Sequence, residues 1–142
     1  MRATILVVED EVGPRESIKI ILKPYYQVVA AEDGFKALEI LKKREIDLIT
    51  LDLRMPGLSG EEVLKEIKDL KPEVEVIIIS GHGSVKSAID GVRLGACDYL
   101  LKPFGISDLL NTIQKALRRK KSAEELKSFL TKMGDKFGVE AQ

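Results

Sequence analysis

Carboxylates stand where two apolar runs of this sequence stop. Residues 3–8 (ATILVV) run into Glu9-Asp10-Glu11, and residues 46–51 (IDLITL) run into Asp52, with Met55-Pro56-Gly57 just beyond. A third run, residues 74–79 (VEVIII), stops at Ser80, and a fourth, residues 98–101 (DYLL), leads into Lys102-Pro103-Phe104. Acids that share a crevice repel one another, and burial raises the cost of their charge. A bound cation is the simplest remedy. Oxygen donors without His or Cys favour Mg²⁺ or a similar hard ion. Mg²⁺ keeps waters or phosphate oxygens among its ligands, which points to phosphoryl chemistry. A carboxylate nucleophile beside a hydroxyl and an ammonium can accept a phosphoryl group and have its oxygens neutralised.

Each residue taken alone also has an ordinary structural explanation. Asp52 can cap the turn before Pro56. Glu9 and Asp10 can cap a following helix, where acids are favoured. Ser80 alone fits a loop hydroxyl, and Lys102 alone fits a solvated surface charge. Whether the chemistry is available therefore depends on which elements carry these residues.

The apolar runs are short and rich in β-branched residues, with a weaker version at residues 26–31 (YQVVAA). Such runs predict strands buried on both faces. Helices are predicted between them. Residues 14–23 open with Pro14 and set Ile18, Ile21 and Leu22 on one face. Residues 34–44 do the same with Ala37, Leu38 and Leu41. Residues 61–70 follow a Ser59…Glu62 capping box and end before Pro72. Residues 85–94 lie between Ser84, a possible cap, and Gly95, a stop. A last helix starts near Ser107. Alternating strand and helix predict an α/β fold: a doubly wound, five-stranded parallel sheet of flavodoxin-like order 2-1-3-4-5. In that order the switch point falls between strands 1 and 3. It would gather Glu9, Asp10 and Asp52, with Ser80 and Lys102 at neighbouring strand ends. The joint placement makes Asp52 a phosphoryl acceptor.

The chain of 142 residues suits one domain, with 32% charged residues and a formal net charge of zero. That balance gives no electrostatic case for nucleic-acid binding. Cys97 is the single cysteine, which excludes an internal disulfide and fits a small buried filler. No apolar stretch is long enough to span a bilayer, and the N-terminus lacks the layout of a signal peptide. The expected compartment is the cytoplasm.

The pieces "ILVVEDE", "DLRMPGLSG", "IIISGHG" and "GACDYLLKPF", with their spacing, resemble the receiver domain of bacterial two-component response regulators. The likeness covers residues 2 to about 118 and predicts a CheY-like fold. "GSVKSAIDGVRLGACDYLLKPF" is most similar to receivers of the nitrogen-regulator (NtrC-like) class of enhancer-binding transcription activators. The resemblance implies phosphorylation of Asp52 by a sensor histidine kinase. It implies Mg²⁺ held by Glu9, Asp10, Asp52 and the backbone carbonyl of Arg54. It makes Ser80 the hydroxyl switch and Tyr99 the aromatic switch, although Tyr99 also fits a core aromatic. Lys102 would pair with the phosphoryl group, across a cis bond to Pro103. The family often has Asp at Glu9, Thr at Ser80 and a polar cap at Gly105. His82 reads first as a loop histidine; a sharper expectation is that Arg54 and His82 flank the site and tune hydrolysis. The implied activity is regulatory, with only self-phosphorylation from small phosphodonors and self-dephosphorylation.

The receiver is assigned to residues 1–118 and a helical extension, or linker to an absent output domain, to 119–142. The tail is predicted to be helical up to Gly134. Leu126, Leu130, Met133 and Phe137 follow a seam spacing that Gly134 interrupts. A homodimer is expected through helix 4, strand 5 and helix 5 or through the C-terminal helix. The alternative is a single-domain regulator acting by protein contact. A haloacid-dehalogenase-like phosphatase fits less well, because Asp52-Leu53-Arg54 lacks the second acid of Asp-x-Asp. "GHGSVKS" is not a P-loop, since Val85 stands where glycine is needed.

Overall fold

The computed structural model describes residues 2–81 and 85–137. Its elements alternate as β1 (Thr4–Val8), α1 (Val12–Leu22), β2 (Gln27–Ala31), α2 (Gly34–Lys43), β3 (Leu48–Asp52), α3 (Gly60–Leu70), β4 (Glu75–Ser80), α4 (Val85–Arg93), β5 (Asp98–Leu101) and α5 (Ile106–Phe137). The five strands pair in parallel in the order β2-β1-β3-β4-β5, as expected.

Side chains alternate across a strand, and that alternation splits the core in two. Leu6, Val8, Ile49, Leu51, Val76 and Ile78 pack with Ala37 and Leu41 of α2 and Val63, Leu64 and Ile67 of α3. Ile5, Val7, Leu48, Ile77 and Ile79 pack with Ile18 and Leu22 of α1 and Leu109, Ile113 and Ala116 of α5. The central strands β1 and β3 are buried at every position. The flanking strands β2 and β5 are half exposed, which explains their fainter apolar signal.

Several boundaries shift from expectation. α1 begins at Val12, two residues before Pro14, and its N-cap Glu11 makes no side-chain cap. Glu9 and Asp10 are therefore not its N-cap. α3 has the expected Ser59–Glu62 capping box. α5 starts at Ile106, where the Asp108 carboxylate accepts the Gly105 N–H at 3.0 Å in place of a polar N-cap side chain. It continues through Gly134 to Phe137, past the predicted stop. His82 and Ser84 lie outside the described residues.

Candidate functional site

Strand register builds the site. Val8 of β1 pairs with Leu51 of β3, so Glu9 and Asp52 leave their strands side by side. Asp52 pairs with Ile79, and Ser80 with Leu101, which brings Ser80 and Lys102 to the same edge. The Lys102 N–H also donates to the Ser80 carbonyl at 2.9 Å.

Carboxylate oxygens of Glu9, Asp10 and Asp52 lie within 4.8 Å of one another. Lys102 Nζ donates to Glu9 Oε1 at 3.1 Å and to Asp52 Oδ2 at 3.4 Å. Asp52 Oδ1 accepts the Arg54 N–H at 2.9 Å. One Asp52 oxygen thus closes the turn, as its capping reading expects, and the other faces the ammonium. The loop after it is shaped by two glycines. Gly57, after Pro56, has φ of 83°, a conformation that other residues seldom adopt. A Cβ at Gly60 would collide with the Leu53 backbone.

Glu9 is 1% exposed and Asp52 6%, so the acids sit in a poorly hydrated crevice. Burial, then the Asp52 carboxyl beside it, pushes the Glu9 carboxyl up to about 8, against the opposing pull of Lys102. Burial alone would lower Lys102. Its hydrogen bond to Glu9 and the negative charges of Asp52 and Glu9 outweigh that, and the ammonium is held above its usual range.

The donor set fits a hard cation. All three groups are carboxylates, and an octahedral Mg²⁺ places its ligand oxygens about 3 to 4 Å apart, inside the observed spread. Glu9, Asp10 and Asp52 are the residues that could hold the ion.

Ser80 is buried at the end of β4. It shares by alternation the sheet face of Val76 and Ile78, opposite to that of Ile77 and Ile79. Tyr99 is 44% exposed, not a core aromatic. The Arg54 side chain is exposed. The Lys102–Pro103 bond is cis, as the resemblance implied. Cys97 is only half buried, and burial, with Glu75 beside it, pushes its thiol up to about 12.

One residue escaped the sequence reading. Arg15 Nη1 donates to the Glu9 carbonyl at 2.9 Å and to the Asp10 carbonyl at 3.2 Å. Its only signal was a basic residue one turn into α1, which looks like any solvated helix charge.

Fold and site together define a doubly wound α/β domain with an acidic crevice at its switch point. Comparison with known proteins makes this specific. Residues 5–114 match the response regulator receiver domain, and the chain belongs to that family. It is 37% identical over 114 residues to the transcriptional regulatory protein ZraR of Salmonella typhimurium, covering 80% of this chain and 26% of that protein. It is 33% identical over 136 residues to the response regulator MprA of Mycobacterium tuberculosis, covering 95% of this chain and 59% of that protein. The chain thus spans about a quarter of the length of ZraR. Among solved structures, NtrX from Brucella abortus superposes with a TM-score of 0.86 at 36% identity, over 91% of this chain and 30% of that one. A response regulator receiver domain protein from Clostridium thermocellum superposes with a TM-score of 0.81 at 38% identity, over 85% of this chain and 98% of that one.

Proposed function

We propose that this receiver domain is a phosphorylation-dependent switch with Asp52 as the acceptor. An Asp52 oxygen attacks the phosphorus of a phosphohistidine on a sensor histidine kinase. The O–P bond forms as the N–P bond breaks, and the imidazole leaves with that electron pair. The observation that carries this reading is the placement of the Lys102 ammonium within 3.4 Å of Asp52 in a crevice of three acids. Mg²⁺, held by Glu9, Asp10, Asp52 and the backbone carbonyl of Arg54, would supply charge neutralisation for the phosphoryl oxygens. The Arg54 N–H and Lys102 hold the two Asp52 oxygens and so fix the plane of the nucleophile. Lys102 then pairs with the transferred group.

The acquired charge, about −1.5 to −2, draws the Ser80 hydroxyl toward it and lets Tyr99 turn inward from its exposed position. The face that changes includes Ile89 and Val92 of α4, Leu101 of β5 and Ile106 of α5, all exposed. A second copy of the chain covers this face or the exposed seam Leu126, Leu130 and Met133 of α5. The domain is residues 1–118. Residues 119–137 extend α5, and the tail as far as residue 142 is a linker to an output domain that regulates transcription, the role that the name of ZraR states. Arg54 and His82 tune hydrolysis. Among the described residues no helix can cross a membrane, and the domain works in the cytoplasm without touching nucleic acid.

Acetyl phosphate with Mg²⁺ tests this reading. A receiver gains one phosphoryl group, releases it slowly and stops. Continuous turnover would instead mark a phosphatase. An unmodified chain, with the same amide NMR spectrum before and after beryllofluoride, would refute the switch.

A further inference from the structure

We propose that Arg15 is a positioning residue that clamps the β1–α1 loop and so holds Glu9 and Asp10 in place for a divalent cation; this rests on the metal-site reading above. The loop between Val8 and Val12 carries both acids, yet little fixes it locally. The α1 N-cap, Glu11, makes no side-chain capping bond, and the first turn of α1 contains Gly13 and Pro14. Pro14 has no N–H to offer.

Arg15 supplies the missing restraint from one turn along the helix. Its Nη1 donates to both carbonyls, at 2.9 Å to Glu9 and 3.2 Å to Asp10. Its own N–H donates to the Glu11 carbonyl at 3.1 Å, so backbone and side chain of one residue hold three successive carbonyls. The Glu9 N–H is bound on the other side, to the Ala31 carbonyl of β2 at 3.1 Å. The peptide units around Glu9 are therefore pinned between β2 and α1.

A charged donor makes stronger hydrogen bonds than a neutral one, and a guanidinium keeps its charge at every working pH. With it in place, the Glu9 and Asp10 carboxylates leave from a fixed backbone, and a cation need not order the loop on binding. Residues that orient metal ligands in this indirect way typically change affinity by about 10–100-fold when removed. The side-chain hydrogen bonds of Arg15 go to backbone carbonyls, so it acts through the loop and not as a ligand.

The test compares wild type, Arg15→Ala, Arg15→Lys and the core variant Ile67→Val. Mg²⁺ affinity is read by calorimetry, and exchange of the Glu9 amide is read by NMR in EDTA. The expected result is a loss of Mg²⁺ affinity of about tenfold or more in Arg15→Ala, with Arg15→Lys between it and wild type. Glu9 amide exchange should accelerate in the same order. Ile67→Val should lower the urea midpoint while leaving Mg²⁺ affinity unchanged. If Arg15→Ala does not fold, Arg15→Lys carries the same comparison. Affinity within twofold of wild type, or an equal loss in Ile67→Val, would overturn the clamp. A wild type that binds no Mg²⁺ would sink the metal-site reading instead, and the exchange measurement would still decide whether Arg15 pins the loop.

Discussion

Glu9→Gln should make the metal-free protein more stable at alkaline pH. Glu9 is 1% exposed, and burial beside Asp52 raises its carboxyl from the ordinary 4.5 to about 8. Below about pH 4.5 the group is neutral in folded and unfolded chains alike and contributes nothing. Between about 4.5 and 8 the folded chain keeps a proton that the unfolded chain has released, so stability falls as pH rises. Above about 8 the full penalty is present. At about 1.4 kcal/mol per pH unit the ceiling is near 5 kcal/mol, a large part of a typical stability of about 5–15 kcal/mol. Lys102 does not blur the window. Its pKa is raised above 10.5, so its favourable contribution is complete below that value and is lost only at higher pH. Glutamine keeps an oxygen for Lys102 and never ionises. Urea unfolding in EDTA should therefore show wild type losing a few kcal/mol from about pH 5 to pH 8 relative to Glu9→Gln, with the variant the more stable at the upper end. Wild-type stability that stays level or rises relative to the variant over that range would refute the reasoning.

Other substitutions probe separate links. Thr50 is 1% exposed, and its hydroxyl has no hydrogen-bond partner among the described residues, so Thr50→Val should gain about 1 kcal/mol in urea unfolding; a loss would mean the hydroxyl is satisfied in solution. Gly60→Ala should cost about 1–3 kcal/mol because its Cβ meets the Leu53 backbone, and a neutral result in the same assay would contradict the packing. Ser59→Ala removes the α3 capping box and should cost about 1 kcal/mol by thermal or urea unfolding. Cys97, with its thiol at about 12, should react with iodoacetamide at pH 8 far more slowly than free cysteine, and equal rates would show an accessible thiolate.

The central strands were legible because they are buried on both faces, which leaves unbroken apolar runs in β1, β3 and β4. That order alone brought Glu9, Asp10 and Asp52 together, since parallel register carries one strand end to the next. What sequence missed depends on side-chain reach or on weak local costs. Arg15 finds carbonyls five and six residues back, and no pattern of residue types encodes that. Gly134 costs only about 1 kcal/mol inside a helix, and α5 runs through it between good helix formers. The start of α1 was misplaced because Pro14 is tolerated anywhere in the first turn, not only at the first position. Phe129 was also left out of the tail seam, although it is exposed beside Leu126, Leu130 and Met133.

Mass-spectrometric mapping of the chain after incubation with a small phosphodonor tests the central claim most directly. A single acid-stable, base-labile phosphoryl group on Asp52, present with Mg²⁺, lost in EDTA and missing in Asp52→Asn, is the predicted result. Modification elsewhere, or the same yield in Asp52→Asn, would contradict it.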